Sequence, residues 1–285
     1  MKRLRTLFNS LAALVSPFLM VTAPLQGAPG DLDALNAVVA GSSVLGTAVQ
    51  PDGKILLAGN FTTVLGTARQ NIARLNTNGT LDAVFDPKTN GMVRSVVVQA
   101  DGKIVIAGAF TTLQPNGAAG TTTRQNIARL NADGTLDAGF DPNANGQVNG
   151  TLVQADGKIV VWGEFTSLQP NGGAVTTRNR VARLNADGTL DAGFDPNANG
   201  AVLSLAAHAG GYVLGGGFTT LQPNGAAAAT TRNRVARLAA DGSLDSGFNP
   251  DAGGAVNAVF VQADGKVVLG GAFTTMGGSP RNYLA

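Results

Sequence analysis

The stretch ARLNADGTLDAGFDPNANG stands twice in this chain, letter for letter, at Ala128–Gly146 and again at Ala182–Gly200. Looser copies carry the pattern over most of the sequence. "DGK" begins at Asp52, Asp101, Asp156 and Asp264, with a degenerate GGY at Gly210, so the unit recurs every 49 to 55 residues. R-x-x-[IV]-A-R-L begins at Arg69, Arg124, Arg178 and Arg232, and RNYLA opens a fifth copy at Arg281. Repetition at a fixed period of this length is the mark of a solenoid, a propeller or an array, and it outranks every local signal.

Within a unit the order is constant: an apolar run such as Val93 to Gln99, the turn ADG, a second run KIVIAGAF, a loop, RQNIARLN, a second ADG, and TLDAGF. Four short segments with a turn signal every 8 to 12 residues predict a small antiparallel sheet per unit, a meander of three or four strands. The chain has 39 Gly in 285 residues, which suits short strands and tight turns. The fold class expected is all-β, a propeller of about five blades, with an open arc or a piece of a larger propeller as the alternative. The units run approximately 31–78, 79–133, 134–187, 188–241 and 242–285, within a propeller region of 28–285.

The second turn fixes a register. With a three-residue loop at Ala132, Asp133 and Gly134, Leu130 opposes Leu136 and Arg129 opposes Asp137; a two-residue loop would set Leu130 against Asp137. The first pairing matches apolar with apolar and charge with opposite charge, and it implies a type I turn closed by a left-handed Gly. The Pro51-Asp52-Gly53 copy of the first turn supports the same device. N-x-D-G-x-x-D also resembles part of a calcium loop, whose hard cation demands six or more oxygens and a ligand at the first position. That position holds Arg74, Arg129, Arg183 and Arg237. The pairs Arg74 and Asp82, Arg129 and Asp137, Arg183 and Asp191, and Arg237 and Asp245 are therefore read as structural ion pairs, with no metal and no cofactor expected.

The consensus V-x-x-[VL]-x-V-Q-x-D-G-K-[IV]-x-[IVL]-x-G-x-F-T-T, followed by R-x-x-[IV]-A-R-L-N-x-D-G-[TS]-L-D-x-x-F-[DN]-P, resembles the delta-60 repeat family of bacterial surface and secreted proteins. The likeness covers roughly residues 31–285. It implies a propeller and no catalytic residues. AGGY in place of ADGK in the fourth unit is a departure from it. GDLDALN at Gly30–Asn36 aligns with DGTLDAGFD, an offset that would let the chain's opening residues complete the last blade.

MKRLR followed by an apolar run and PLQGAPG has the order of a secretory signal, assigned to residues 1–27, and predicts a secreted or cell-surface bacterial protein without membrane insertion once the signal is removed. The chain has no Cys and one His, so disulfides and Cys-His chemistry are excluded. Removing Lys2, Arg3 and Arg5 from the 20 basic residues leaves 17 against 18 acidic, a balance that gives nucleic-acid binding no support.

Candidate sites are few. His208 sits where other units carry Gln and reads as a drifted turn residue. Trp162 and Glu164 replace small or neutral residues of the other units, and their i, i+2 spacing puts an aromatic ring and a carboxylate on one side of a strand, either as a sugar platform or as local repacking. Three units carry long loops, TTLQPNGAAGTTT, TSLQPNGGAVTT and TTLQPNGAAAATT, whose Gln114, Asn116, Gln169, Asn171, Gln222 and Asn224 would form one polar rim. The function expected is a non-catalytic scaffold for a polysaccharide or surface protein. An Asp-based carbohydrate-active enzyme and a passive spacer are the alternatives.

Overall fold

Each of the first four units lays down three antiparallel strands, the first two joined by a tight Gly turn and the third returning after a longer loop. The computed structural model describes residues 38–285. In the second blade the strands are Met92–Val98, Ile104–Ala109 and Ile127–Leu130, with Val98 opposite Ile104 and Ile104 opposite Leu130. The first blade uses Val39–Val49, Ile55–Val64 and Ile72–Leu75; the third, Val148–Val153, Ile159–Gly163 and Val181–Leu184; the fourth, Val202–His208, Gly211–Gly216 and Val235–Ala239. The fifth has Val256–Val261 and Val267–Gly271, and Leu269 exchanges main-chain hydrogen bonds with Ala285. The assigned signal and the closure expected from Gly30–Asn36 lie outside the described residues.

The second hairpin holds the three-residue turn. Asn131 N–H donates to the Thr135 carbonyl at 2.8 Å, Gly134 N–H donates to that of Asn131 at 2.9 Å, Gly134 has φ 91°, and Leu130 bridges Leu136. The fourth segment stops at that single bridge instead of becoming a strand. Asp137 Oδ1 accepts the N–H of Gly139 at 3.2 Å, turning the chain out of the sheet. Phe140 is thereby carried into the next blade's core, where it is fully buried beside Val148, Ile159 and Phe165.

Alternation along the strands gives each blade two apolar faces. Val105, Ala107 and Ile127 of the second blade pack on Val148, Ile159, Val161 and Ala182 of the third. The same joint recurs as Leu56, Ala58 and Ile72 against Val93, Ile104 and Ile106, as Val160, Trp162 and Val181 against Val202, Leu205 and Leu214, and as Val213 and Val235 against Val256 and Leu269. First strands of successive blades touch. They are tied by a 2.9 Å bond between Ser95 Oγ and Thr151 Oγ1 and by Ser204 Oγ accepting the Val259 N–H. The architecture is an all-β propeller of five blades in sequence. Among the described residues no comparable packing joins the first strands of blades one and five, and Val44 is 40% exposed where its counterparts Val93, Val148, Val202 and Val256 are fully buried.

The fourth blade departs from the aligned register. Its first turn is one residue shorter, because Ala209 and Gly210 both take positive φ, 36° and 81°, and His208 opposes Gly211 directly. Tyr212 consequently stands in the place of the turn-following Ile rather than of Lys, and its ring meets Phe194 edge-on at 5.7 Å.

Candidate functional site

The charged groups repeated from unit to unit converge on the joints between blades. Arg129 Nε donates to Asp137 Oδ2 at 2.8 Å, and Lys103 Nζ reaches the same oxygen at 2.8 Å. Arg74 and Asp82 with Lys54, and Arg183 and Asp191 with Lys158, form the same trio. Arg237 and Asp245 stand 2.7 Å apart without a Lys, since Gly211 stands at that position of the fourth blade. Each guanidinium also lies over the Phe that ends its unit, 4.3 Å from the Phe85 and Phe140 centroids and 4.5 Å from that of Phe194, a cation–π geometry. In the first three blades its Nη1 then donates to a carbonyl of the next blade's hairpin, Arg74 to Ala132, Arg129 to Ala186 at 2.5 Å and Arg183 to Ala240 at 2.5 Å.

Electrostatics at these carboxylates follow from that crowding. Burial pushes the Asp137 carboxyl up, but the hydrogen bonds from Lys103 and Arg129 more than offset it and hold it below the ordinary range. Asp82 and Asp191 are held low by the same balance. Both oxygens of Asp137 are engaged, Oδ2 by Lys103 and Arg129 and Oδ1 by Gly139. Asp133 Oδ1 is occupied by the N–H and hydroxyl of Thr135.

A second Arg–Asp set escaped the sequence reading. Buried Arg124 donates from Nη1 to the Thr123 carbonyl and from Nη2 to that of Ala138 and lies 3.5 Å from Asp141; Arg178 and Asp195 stand 3.6 Å apart. Desolvation raises the Asp141 and Asp195 carboxyls, with Arg124 and Arg178 pulling the other way. The signal was present as a constant 17-residue spacing from the first Arg of R-x-x-[IV]-A-R-L to the Asp of F-D-P, kept at Arg69 and Asp86 and broken at Arg232, where Asn249 follows.

The long loops are built the same way three times. Gln114, Gln169 and Gln222 each precede a one-turn 3-10 segment, Pro115–Gly117, Pro170–Gly172 and Pro223–Gly225. Asn116 sits in the left-handed region, φ 50°, which Asn tolerates better than most residues. Its Oδ1 accepts the Asp86 N–H at 3.0 Å and its Nδ2 donates to the Asp133 carbonyl at 3.1 Å. Asn171 ties Asp141 to Asp187 and Asn224 ties Asp195 to Asp241 in the same manner. Gln114 and Gln222 donate back to the Ala118 and Ala226 carbonyls, and Gln169 accepts from Asn143. These six side chains are anchors, while the loop tips that follow, 117–123, 172–175 and 225–231, stand exposed. An open hollow of about 530 Å³ lies at the first anchor, lined by Ala83, Val84, Asp86, Asn116, Gly117 and Asp133.

Trp162 and Glu164 are not brought together. Trp162 is buried in the joint between blades three and four, its ring lying over Gly150 on the neighbouring strand. Glu164 is exposed beyond the strand end, with Gln147 Nε2 3.4 Å from its carboxylate. His208 is a half-buried ladder residue opposite Gly211. Among the described residues no three His, Cys, Asp or Glu side chains cluster as a metal site, and no helix is long and apolar enough to cross a membrane.

Against known proteins, a family model described as "Domain of unknown function (DUF5122) beta-propeller" matches residues 50–85, 99–140, 154–194, 211–248 and 262–285. The chain belongs to this β-propeller family. Its five matched segments begin at or beside the first turn of each blade, so each match spans the second and third strands and the hairpin that reaches the neighbouring blade, or in the fifth blade the part of them present. No curated protein matches. Among solved structures the chain is similar to the crystal structure of the computationally designed Ika8 protein, at 12% identity over 86% of this chain and 74% of that one, with a TM-score of 0.47.

Proposed function

We propose that this DUF5122 propeller is a secreted, non-catalytic scaffold that presents its loop rim to a polysaccharide or protein at a bacterial cell envelope. The observation that carries the reading is the division of labour within the three Q-P-N-G loops. Their Gln and Asn side chains are spent on anchoring, and the small and hydroxylated residues that follow are held out in solvent on rigid bases. A rigidly based row of exposed Thr, Ala and Gly offers hydroxyl and main-chain hydrogen-bonding groups at little ordering cost, which suits a polyhydroxylated or extended partner. Resemblance to the delta-60 repeats and the leader-like residues 1–27 support the location.

The Asp-based enzyme reading has less support. Raised carboxyls at Asp141 and Asp195 are suited to proton donation, but each faces its own Arg and recurs with the fold. Glycan and surface-protein arrays probed with the chain, beside a variant whose three long loops are each replaced by the shorter first-unit loop TTVLGTA, Thr62–Ala68, test the proposal. Binding that disappears with the loops supports it. Turnover of a polysaccharide that Asp195→Asn abolishes would replace it with the enzyme.

A further inference from the structure

The hollow at the first anchor lies where the hairpin leaving blade one meets the long loop and second turn of blade two. It encloses about 530 Å³ between Ala83, Val84, Asp86, Asn116, Gly117 and Asp133, within the range of small-ligand sites, about 300–1,000 Å³. One of its walls departs from the repeat. Gly139, Gly193 and Gly247 hold the place before the Phe in the other hairpins, where this one has Val84. The joint does not need that side chain, because Phe85 beside Val84 is buried no more completely than Phe140 and Phe194 beside Gly. Val84 is instead 71% exposed, an apolar wall facing the hollow.

The remaining walls are polar and fixed. Asn116 has both ends of its amide engaged, by the Asp86 N–H and the Asp133 carbonyl, so the floor is set before any ligand arrives. Thr135 donates its N–H and its hydroxyl to Oδ1 of Asp133. Those two bonds hold the carboxyl below its ordinary range, with a smaller pull from Arg74, and they leave Oδ2 as its open acceptor among the described residues. Asp86 is already answered by Lys88 at 3.6 Å and Arg69 at 3.9 Å. Charge is therefore balanced around the hollow, and a cationic ligand finds no net field there.

From this combination we infer that the hollow is a subsite for one neutral pyranose unit, its apolar face against Val84 and Ala83 and two adjacent hydroxyls donating to Asp133. A pyranose carries a C–H face and a rim of hydroxyl donors, so a single ring meets an aliphatic wall and a carboxylate together. The inference rests on the reading of the loop rim as a polysaccharide binder and adds the place where one sugar is held. It also explains why Val stands in this joint alone among the four hairpins.

Methyl glucopyranoside, methyl mannopyranoside and methyl galactopyranoside are titrated into the full chain and followed by amide chemical shifts. At least one is expected to give saturable shifts at Val84, Gly117 and Asp133. Val84→Gly and Asp133→Asn should each weaken that binding about five- to tenfold. Both variants keep the fold by the chain's own example: Gly fills the first position in three other units, and Asn78 makes the same turn bonds to Thr80 in the first. Asp187→Asn, in the next joint where Gly139 replaces Val, should leave binding unchanged. No saturable shift with any of the three sugars, shifts confined to other residues, or indifference to both variants overturns the inference; loop-dependent glycan binding on the arrays would then still uphold the rim reading. Array binding to a protein that Val84→Gly weakens, with none to any glycan, also overturns it, by giving the hollow to a protein side chain. Arrays that show neither glycan nor protein binding remove both.

Discussion

Trp162 and Gly150 form a size-matched pair whose coupling can be measured. They face each other across the first two strands of the third blade, and a Cβ on Gly150 would stand 2.1 Å from Trp162 Cζ2 and 2.5 Å from Cε2. The indole is 9% exposed and its Nε1 is buried without an acceptor. Gly150→Ala therefore overpacks the joint at a cost of about 2 kcal/mol. Trp162→Ala opens a cavity, typically about 3–5 kcal/mol, but relieves an unsatisfied donor worth about 1–3, leaving a net loss of about 2 kcal/mol. In the double variant the new methyl enters space the indole has left, so its cost should equal or fall below that of Trp162→Ala alone. The expected coupling is about −2 kcal/mol. Urea unfolding of residues 28–285, followed by far-ultraviolet circular dichroism so that loss of the only Trp does not matter, gives the four stabilities. Additivity of the two single changes to within about 0.5 kcal/mol would refute the reasoning.

Acid should act first through the trios. Folded carboxyls at Asp82, Asp137 and Asp191 are depressed, so their contribution is complete above the unfolded value of about 3.9 and lost as pH falls through the lower folded value. Asp191→Asn should destabilise at neutral pH and match the parent chain once both are below that range, as urea midpoints at the two pH values would show; Asp141 and Asp195, raised by burial, work in the opposite sense and soften the total loss. Gly188→Ala forces φ 88° on a residue whose Cβ meets Phe140 at 2.8 Å and should cost about 2 kcal/mol or more, whereas Gly217→Ala, with nothing within 4 Å, should change the unfolding midpoint little. Asn171→Ala removes two anchoring hydrogen bonds and should cost about 1–2 kcal/mol, with faster amide exchange confined to 170–177.

Turn chemistry made the blade legible in the sequence. Asp-Gly at constant spacing and the apolar match of Leu130 with Leu136 specify a hairpin whose register the structure repeats in four units. The fourth-unit turn was misaligned by one residue because Gly210 and Gly211 are chemically interchangeable in a string, and only the ladder from His208 to Gly211 shows which of them lies in the loop. Trp162 was visible as an oddity, but its meaning depended on Gly150, twelve positions earlier and silent by itself. The anchoring roles of Asn116, Asn171 and Asn224 were hidden for another reason. Their partners are main-chain groups of Asp86, Asp141 and Asp195 about 30 residues away, and a carbonyl or N–H leaves no trace in residue identity.

Constancy among the units thus has a physical cause that separates architecture from surface. A side chain that must meet the adjacent blade cannot vary without its counterpart, which is why Arg74, Arg129 and Arg183 keep their Phe, their Asp and a Gly turn beyond them. Where a partner is missing the site is looser: Asp245, with no Lys beside it, is 34% exposed against the 14% of Asp137 and Asp191. The loop tips escape this coupling because they stand exposed, so AAGTTT, GAVTT and AAAATT drift while the Q-P-N-G that precedes them does not. A partner that reads the rim must therefore tolerate three unlike tips on one repeated base.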